Sequence, residues 1–274
     1  MREIGLDELK VIQMDVMSAV HRFCEEHNLR YSLACGSMLG AARHKGYIPW
    51  DDDIDIYVPR DDYERMVDIF PELWEGKYSF ITLKRDKRWF TPYGKVCDVR
   101  TGLKEKNGHN YTLGVNIDVF PVDDVPDNET DWLRYNRTRK RIVFLHNMSV
   151  CIDQFPIFNF KPGKSRLRVL CATMFILFMR CTSARFWARV LQWYAKKNNG
   201  KGYTHMFECV MGMFQKHPFD KSLFDHRVLM PFEDRMFMCF EDYDNYLSNG
   251  FGNWRELPPV EKRVSHHTFK AWWK

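Results

Sequence analysis

A cluster of aspartates is the part of this sequence with the clearest capacity for chemistry. It lies in the segment "YIPWDDDIDIYVPR" and consists of Asp51, Asp52, Asp53 and Asp55. In an extended strand alternate side chains share a face, so Asp53 and Asp55 point to one side, away from their apolar neighbours. Carboxylates at this spacing suit one divalent cation, or two cations about 3.5–4 Å apart. The cluster therefore indicates cation binding beside a buried strand.

A third carboxylate stands in the segment "GVNIDVFPVDD". Asp118 is flanked there by Ile117 and Val119, as in a second apolar strand. A carboxylate buried without a partner is costly, so its position needs an explanation. Because Mg²⁺ takes one or two carboxylates together with substrate phosphates, we predict that Asp118 joins Asp53 and Asp55 at one metal site.

Two other interpretations of the acidic segment explain less. A calcium loop of the EF-hand type that began at Asp51 would need glycine and glutamate where Ile56 and Asp62 stand. A solvated acidic turn would explain Asp51 and Asp52 but not Asp55, which lies among β-branched residues. Asp61 and Asp62 are predicted to cap the helix that follows.

A glycine–serine pair precedes the acids in "CGSMLGAARHKG". Gly36 permits a close backbone approach, and the amides of Ser37 and Met38, at the start of a helix, are predicted to hold a phosphate. Such a pair alone is usually a turn. The order of strand, Gly-Ser, helix, Asp-x-Asp strand and later strand acid is more specific, and it matches neither the P-loop nor the dinucleotide fingerprint.

Periodicity predicts the elements that carry these residues. Helices are expected at 6–28, 37–44, from Asp61 or Asp62 to 70, 130–150, 166–197 and 242–248, and strands at 31–35, 54–58, 79–83, 93–99 and 115–120. The expected fold class is α/β (α+β). Residues 1–125 would form the catalytic core, and residues 126–274 a mainly helical part that completes the same domain.

Composition favours a folded protein of the reducing cytoplasm. The 274 residues are 45% hydrophobic and carry a net charge of +5. The eight cysteines form no CxxC pair, so neither a disulfide framework nor a zinc site is expected. The N-terminal residues lack the apolar run of a secretion signal.

The apolar run Val169–Met179 has two explanations. It is too short to cross a bilayer, which takes about 20 apolar residues, so it suits a buried helix. Because arginines flank it, it also suits a helix that lies on the cytoplasmic face of a membrane.

Four segments resemble the LicD family, which includes the fukutin-related proteins and has the nucleotidyltransferase fold. They are "GSMLGAARHKGYIPWDDDIDIYVPRDDYE", "GKVCDVRT", "NIDVFPVDD" and "YLSNGFGNWRELPPVEKRVSHH". The resemblance implies a mixed sheet flanked by helices. It also implies transfer of a phospho-alcohol, commonly phosphocholine, from a CDP-linked donor to a hydroxyl of a surface glycan such as lipopolysaccharide, capsule or teichoic acid.

The resemblance carries over to individual residues by motif. Gly36 and Ser37 match the Gly-Ser element, Asp53 and Asp55 the paired metal aspartates, and Asp118 the third carboxylate. The same family signature contains Arg43, His44, Trp50, Asp51 and Asp52. Lys95 and Arg43 are candidates to clamp a phosphate, although each also suits an exposed charge. Trp50 suits either a cation or base contact or core packing. Arg263, His266 and His267 either fold over the site or form a polar terminus.

The expected mechanism is an in-line displacement assisted by Mg²⁺ or Mn²⁺, with two ions expected. Asp53 and Asp55 would hold the metals on the donor diphosphate, and Asp118 would bind the metal near the acceptor hydroxyl and accept its proton. CMP would be the leaving group.

Three alternatives remain. A glycosyltransferase also uses Asp-x-Asp to hold a nucleotide-sugar. A glycan-binding or nucleotide-binding protein could keep the fold without catalysis. Nucleic-acid nucleotidyl transfer ranks last, because no stacking platform of aromatic and basic residues is evident, and we expect no nucleic-acid partner.

Overall fold

The computed structural model describes residues 1–105, 111–152, 166–212, 214–264 and 269–274. The helices are α1 (Leu6–Glu26), α2 (Cys35–His44), α3 (Arg60–Ile69), α4 (Glu129–Cys151), α5 (Arg166–Arg180), α6 (Ala184–Lys196) and α7 (Tyr243–Phe251). The strands are β1 (Arg2–Glu3), β2 (Ser32–Leu33), β3 (Asp55–Pro59), β4 (Tyr78–Ile81), β5 (Gly94–Glu105), β6 (Leu113–Val125), β7 (His205–Phe207), β8 (Phe219–Asp220), β9 (Arg227–Phe232), β10 (Arg235–Phe240) and β11 (Phe269–Trp273).

The main sheet is mixed and is built around the long strands β5 and β6. Its order is β1-β11-β5-β6-β3-β2, with β4 pairing on β5, β7 on β6 and β8 on β7. Only the β3–β6 pair is parallel among the described strands, and the remaining pairs are antiparallel. Strands β9 and β10 form a separate two-stranded hairpin. The predicted fold class, a mixed sheet flanked by helices, is confirmed.

The largest hydrophobic core forms between the sheet and the N-terminal helices. Helix α1 buries a stripe that includes Leu9, Val16, Val20 and Phe23, spaced as one face of an amphipathic helix. This core also takes side chains from α2, β3 and the β9–β10 hairpin. A second core joins α4 and α6 to the end of β6. Both cores brace the strands that carry the predicted acids.

Two predicted helices differ in the structure. The helix expected over 166–197 is broken, because Ser183 caps α6 by accepting a hydrogen bond from the Phe186 amide at 3.1 Å. The predicted cap of α3 by Asp61 or Asp62 is wrong: Pro59 holds the N-cap position, and both acids lie in the first turn. Asp62 instead pairs with Arg30 at 2.7 Å.

The second half of the chain also contributes strands. Strand β11 pairs with β5, so residues 269–273 lie in the same sheet as the N-terminal half. The division into residues 1–125 and 126–274 stays a prediction. All eight cysteines are free thiols.

Within the described ranges, a test of length and hydropathy identifies no individual helix that could span a bilayer. Helices α5 and α6 pass that test only as a pair, with an 85° bend between them.

Candidate active site

Three neighbouring strands bring the predicted acids and a lysine together. Asp55 on β3 lies in register with Asp118 on β6, and the Asp118 amide donates to the Ile54 carbonyl at 2.8 Å. On the other side of β6, Lys95 of β5 is the register partner of Asp118. Because paired residues on adjacent strands point to the same face, the three side chains share one surface of the sheet.

Charge in this cluster is unbalanced. Lys95 Nζ lies 2.7 Å from Asp118 Oδ1, and both side chains are largely buried. Burial and the carboxylates of Asp53, Asp118 and Asp51 raise the pKa of Asp55 well above its usual value, and Lys95 opposes them. Within this set a single ammonium faces four carboxylates, so the cluster is suited to attract further positive charge.

The donor set fits a hard divalent cation. Asp53, Asp55 and Asp118 offer only carboxylate oxygens, the ligand type that Mg²⁺ and Mn²⁺ prefer. In the described part of the chain, no three His, Cys, Asp or Glu side chains are arranged as a ready metal site. A cation shared by all three carboxylates would therefore require their side chains to rearrange. Their role as metal ligands stays a prediction.

The glycine–serine element lies against the acids, as its position before β3 suggests. A Cβ atom on Gly36 would lie 2.5 Å from Asp51 Oδ2, so a larger residue would displace that carboxylate from its present position. Ser37 Oγ accepts a hydrogen bond from the Asp55 amide at 2.9 Å. This bond fixes the start of α2 against β3.

One predicted phosphate donor is wrong. The Met38 amide already donates to the Ala34 carbonyl at 3.0 Å, so it is used within the helix. Cys35, the residue before Gly36, has a φ of +48°. This value is strained for a non-glycine residue and is often found at functional sites. Burial raises the pKa of the Cys35 thiol well above its usual value, which argues against a role as a nucleophile.

The C-terminal segment contacts Arg43 and Trp50, and His44 lies beside Trp50. Arg43 Nη1 donates to the carbonyls of Trp254 at 2.8 Å and Glu256 at 3.2 Å. The rings of His44 and Trp50 are 6.3 Å apart, and the Arg263 guanidinium lies 5.6 Å from the Trp50 ring centroid. Arg263 therefore folds back toward the acidic loop. His266 and His267 lie outside the described residues.

Asp52 is buried and is bonded to α1 through its backbone. Its carbonyl accepts a hydrogen bond from Gln13 Nε2 at 3.0 Å, and the same amide group reaches the Asn116 carbonyl at 3.3 Å. Asn116 Oδ1 in turn lies 3.3 Å from Lys95 Nζ. Sequence reasoning missed Gln13 and Asn116. The available signal was a glutamine on the apolar face of α1.

Comparison with known proteins identifies a domain that contains the clustered acids. Residues 28–151 match the family model described as LicD/FKTN/FKRP, nucleotidyltransferase domain. This segment contains Gly36, Ser37 and all of the clustered acids. The chain carries a LicD domain.

Relatives extend the similarity beyond the LicD domain. The chain is 28% identical over 275 residues to the lipopolysaccharide cholinephosphotransferase LicD of Haemophilus influenzae, and 99% of each chain is covered. It is also 31% identical over 126 residues, 46% of this chain and 45% of the relative, to an uncharacterised protein of Rickettsia prowazekii. The predicted LicD resemblance is confirmed, and with it the prediction that the chain is an enzyme, a transferase of the LicD type.

Proposed function

We propose that this protein transfers phosphocholine from CDP-choline to a hydroxyl group of a cell-surface glycan, with lipopolysaccharide as the first acceptor to test. The observation that carries the proposal is the full-length similarity to a lipopolysaccharide cholinephosphotransferase. The geometry adds support, because the acids that the family motif implies lie side by side on neighbouring strands.

The proposed reaction exchanges one bond to phosphorus for another. The acceptor oxygen forms a bond to the phosphorus that bears choline, and the bond from that phosphorus to the bridging oxygen breaks, which releases CMP. Asp118 would accept the hydroxyl proton, and Lys95, which is 2.7 Å away, would stabilise its negative charge before transfer. Mg²⁺ or Mn²⁺ bound by Asp53, Asp55 and Asp118 would supply charge neutralisation to the diphosphate.

Substitution of the paired aspartates tests the proposal. The purified protein is incubated with CDP-choline, Mg²⁺ and lipopolysaccharide, and release of CMP and labelling of the glycan are measured. We expect Asp53→Asn and Asp55→Asn to lower the rate by at least about 10²-fold, because each removes a proposed ligand of the metal that would neutralise the diphosphate. Asp61→Asn, the same change on the exposed first turn of α3, is the matched control.

Two outcomes would contradict the proposal. Unchanged turnover in Asp53→Asn and Asp55→Asn would remove the acids from the mechanism. Release of a nucleoside diphosphate from a nucleotide-sugar, without CMP from any CDP-alcohol, would instead favour a metal-dependent glycosyltransferase.

We also propose peripheral contact with an anionic membrane surface through α5 and α6. Residues 166–197 contain no Asp or Glu and seven basic residues: Arg166, Arg168, Arg180, Arg185, Arg189, Lys196 and Lys197. Large apolar side chains on the same helices are exposed, among them Leu170, Met174, Phe178, Phe186 and Trp193. Lys196 pairs with Glu64 at 2.5 Å, and the other basic residues add to the positive charge of this segment. Exposed apolar groups on a basic segment suit the headgroup region of an anionic bilayer. A cytoplasmic location stays a prediction.

A further inference from the structure

An aromatic cavity opens next to the carboxylate cluster. It has a volume of about 290 Å³ and lies between β5, residues 89–93 and the end of α4. Its lining includes the rings of Trp89, Phe90, Tyr93 and Tyr111. Lys95 lines the cavity as well and pairs with Asp118 at 2.7 Å. One residue therefore belongs to both the cavity and the proposed reaction centre.

Polar groups of Trp89, Tyr111 and His146, which line this cavity, are already bonded to protein. Trp89 Nε1 donates to the Tyr93 carbonyl at 2.8 Å, and the Tyr111 hydroxyl donates to Asp86 Oδ2 at 2.5 Å. His146 Nε2 lies 3.0 Å from the Phe90 carbonyl. Trp89 and Tyr111 thus line the cavity while their hydrogen-bonding atoms are engaged elsewhere.

A mainly aromatic lining suits some chemical groups of CDP-choline and of the sugar acceptor better than others. A cytosine base and a sugar both present donors and acceptors that need partners when they are desolvated. A trimethylammonium group carries no N–H and is recognised by the faces of aromatic rings. None of the described lining residues is an Asp or Glu, so attraction of this cation would come from the rings. The volume is just below the usual range of about 300–1,000 Å³ for ligand pockets, as suits a headgroup rather than a whole nucleotide.

We propose that this cavity, built around Phe90, Tyr93, Trp89 and Tyr111, binds the trimethylammonium group of choline. The inference rests on the proposed phosphocholine transfer. With choline in the cavity, the phosphorus to which it is linked lies toward Lys95 and Asp118. The cavity then determines which alcohol the enzyme carries, and the carboxylates serve any CDP-linked donor.

Ring-removing substitutions test the assignment by calorimetric binding of three probes. The probes are CDP-choline, its neutral analogue with carbon in place of nitrogen, and CMP. Phe90→Leu and Tyr93→Leu are expected to weaken CDP-choline binding about tenfold each and to leave CMP binding unchanged. Tyr93→Phe, which keeps the ring, should retain wild-type affinity. Phe144→Leu, on the exposed side of α4, makes the same change outside the cavity. The wild-type protein should bind the neutral analogue about tenfold more weakly than CDP-choline.

The outcomes separate this inference from the proposed function. If the wild-type protein binds CDP-choline and the folded leucine variants match it, the cavity assignment is overturned and the transfer reaction stands. If the variants lose CMP and CDP-choline affinity equally, the cavity holds the base instead. If the wild-type protein binds no CDP-alcohol at all, the proposed function itself fails. Two independent ring positions guard against a single variant that does not fold.

Discussion

At the scale of single residues, Lys95 offsets part of the negative charge of the carboxylate cluster. Its ammonium is the register partner of Asp118 on the neighbouring strand. Removal of one partner from a largely buried ion pair leaves the other charge uncompensated, which typically costs about 3–5 kcal/mol. The lysine therefore stabilises the acids when no other cation is present.

Lys95→Met is expected to lower thermal stability in the absence of divalent metal, because Asp118 then faces the other carboxylates without its ammonium. Added Mg²⁺ should restore stability, and the increase in melting temperature should exceed that of the wild-type protein. Differential scanning fluorimetry with EDTA and with Mg²⁺ measures both effects. An equal Mg²⁺ shift in the two proteins would contradict a metal site at these acids.

Periodicity and residue type alone predicted the acids correctly as neighbours. Asp53, Asp55 and Asp118 stood where alternation in apolar strands made a carboxylate conspicuous. The contact of Lys95 with Asp118 was not predictable, because it depends on the register of β5 against β6. The hydrogen bond from the Met38 amide was also hidden, since one residue decides whether an amide at a helix start is already used. The catalytic and metal-binding roles of Asp53, Asp55 and Asp118 stay predictions.

At the scale of elements, a buried ion pair fastens α3 to the sheet. Arg60 donates to both carboxylate oxygens of Asp123 at 2.8 and 2.7 Å, and both residues are almost completely buried. Asn199, just after α6, donates to the same carboxylate at 2.8 Å. Asp123 follows Asp118 in the motif "NIDVFPVDD", so one short segment supplies a candidate catalytic acid and a structural one.

Asp123→Asn should lower the free energy of unfolding by about 3 kcal/mol, because Arg60 stays buried with only the partly exposed Glu64, at 3.3 Å, as its counter-charge. Asp68→Asn breaks the exposed pair with Lys84 and should cost less than about 1 kcal/mol. Urea denaturation measures both changes. A similar small effect in the two variants would mean that water reaches Arg60.

Elements with strong local signals were predicted well. The expected helix at 6–28 and the strand at 79–83 correspond closely to α1 and β4, and the strand expected at 93–99 covers the first half of β5. The break between α5 and α6 was missed because apolar periodicity continues through Ser183, and a serine cap is a weak signal in the middle of such a pattern. Strand β11 was missed because only its partner β5 gives those residues a sheet edge to join.

At the scale of the whole molecule, the proposed membrane contact is made by the exposed faces of α5 and α6. The face of α5 that contains Met174 and Phe178 is more than half exposed at both residues, at 60% and 55%. Burial of such side chains in a bilayer interface would add apolar transfer energy to the attraction of the nearby arginines.

The wild-type protein should cosediment with vesicles that contain phosphatidylglycerol and much less with pure phosphatidylcholine, and added salt should weaken the binding. Met174→Glu with Phe178→Glu should reduce binding at least tenfold, since each places a carboxylate against an anionic surface. Val260→Glu, at a site that is 71% exposed on another segment, should bind as wild type. Equal binding of all three proteins would place the contact elsewhere or abolish the proposal.

The order of the main sheet also bears on how the chain is made. Strand β1 is joined to the sheet through β11, whose own partner on the other side is β5. Strand β1 can therefore pair with the sheet only after residues 269–273 have been synthesised and have paired with β5. We expect deletion of residues 269–273 to detach β1 from the sheet as well, because β11 is the strand through which β1 is joined to it.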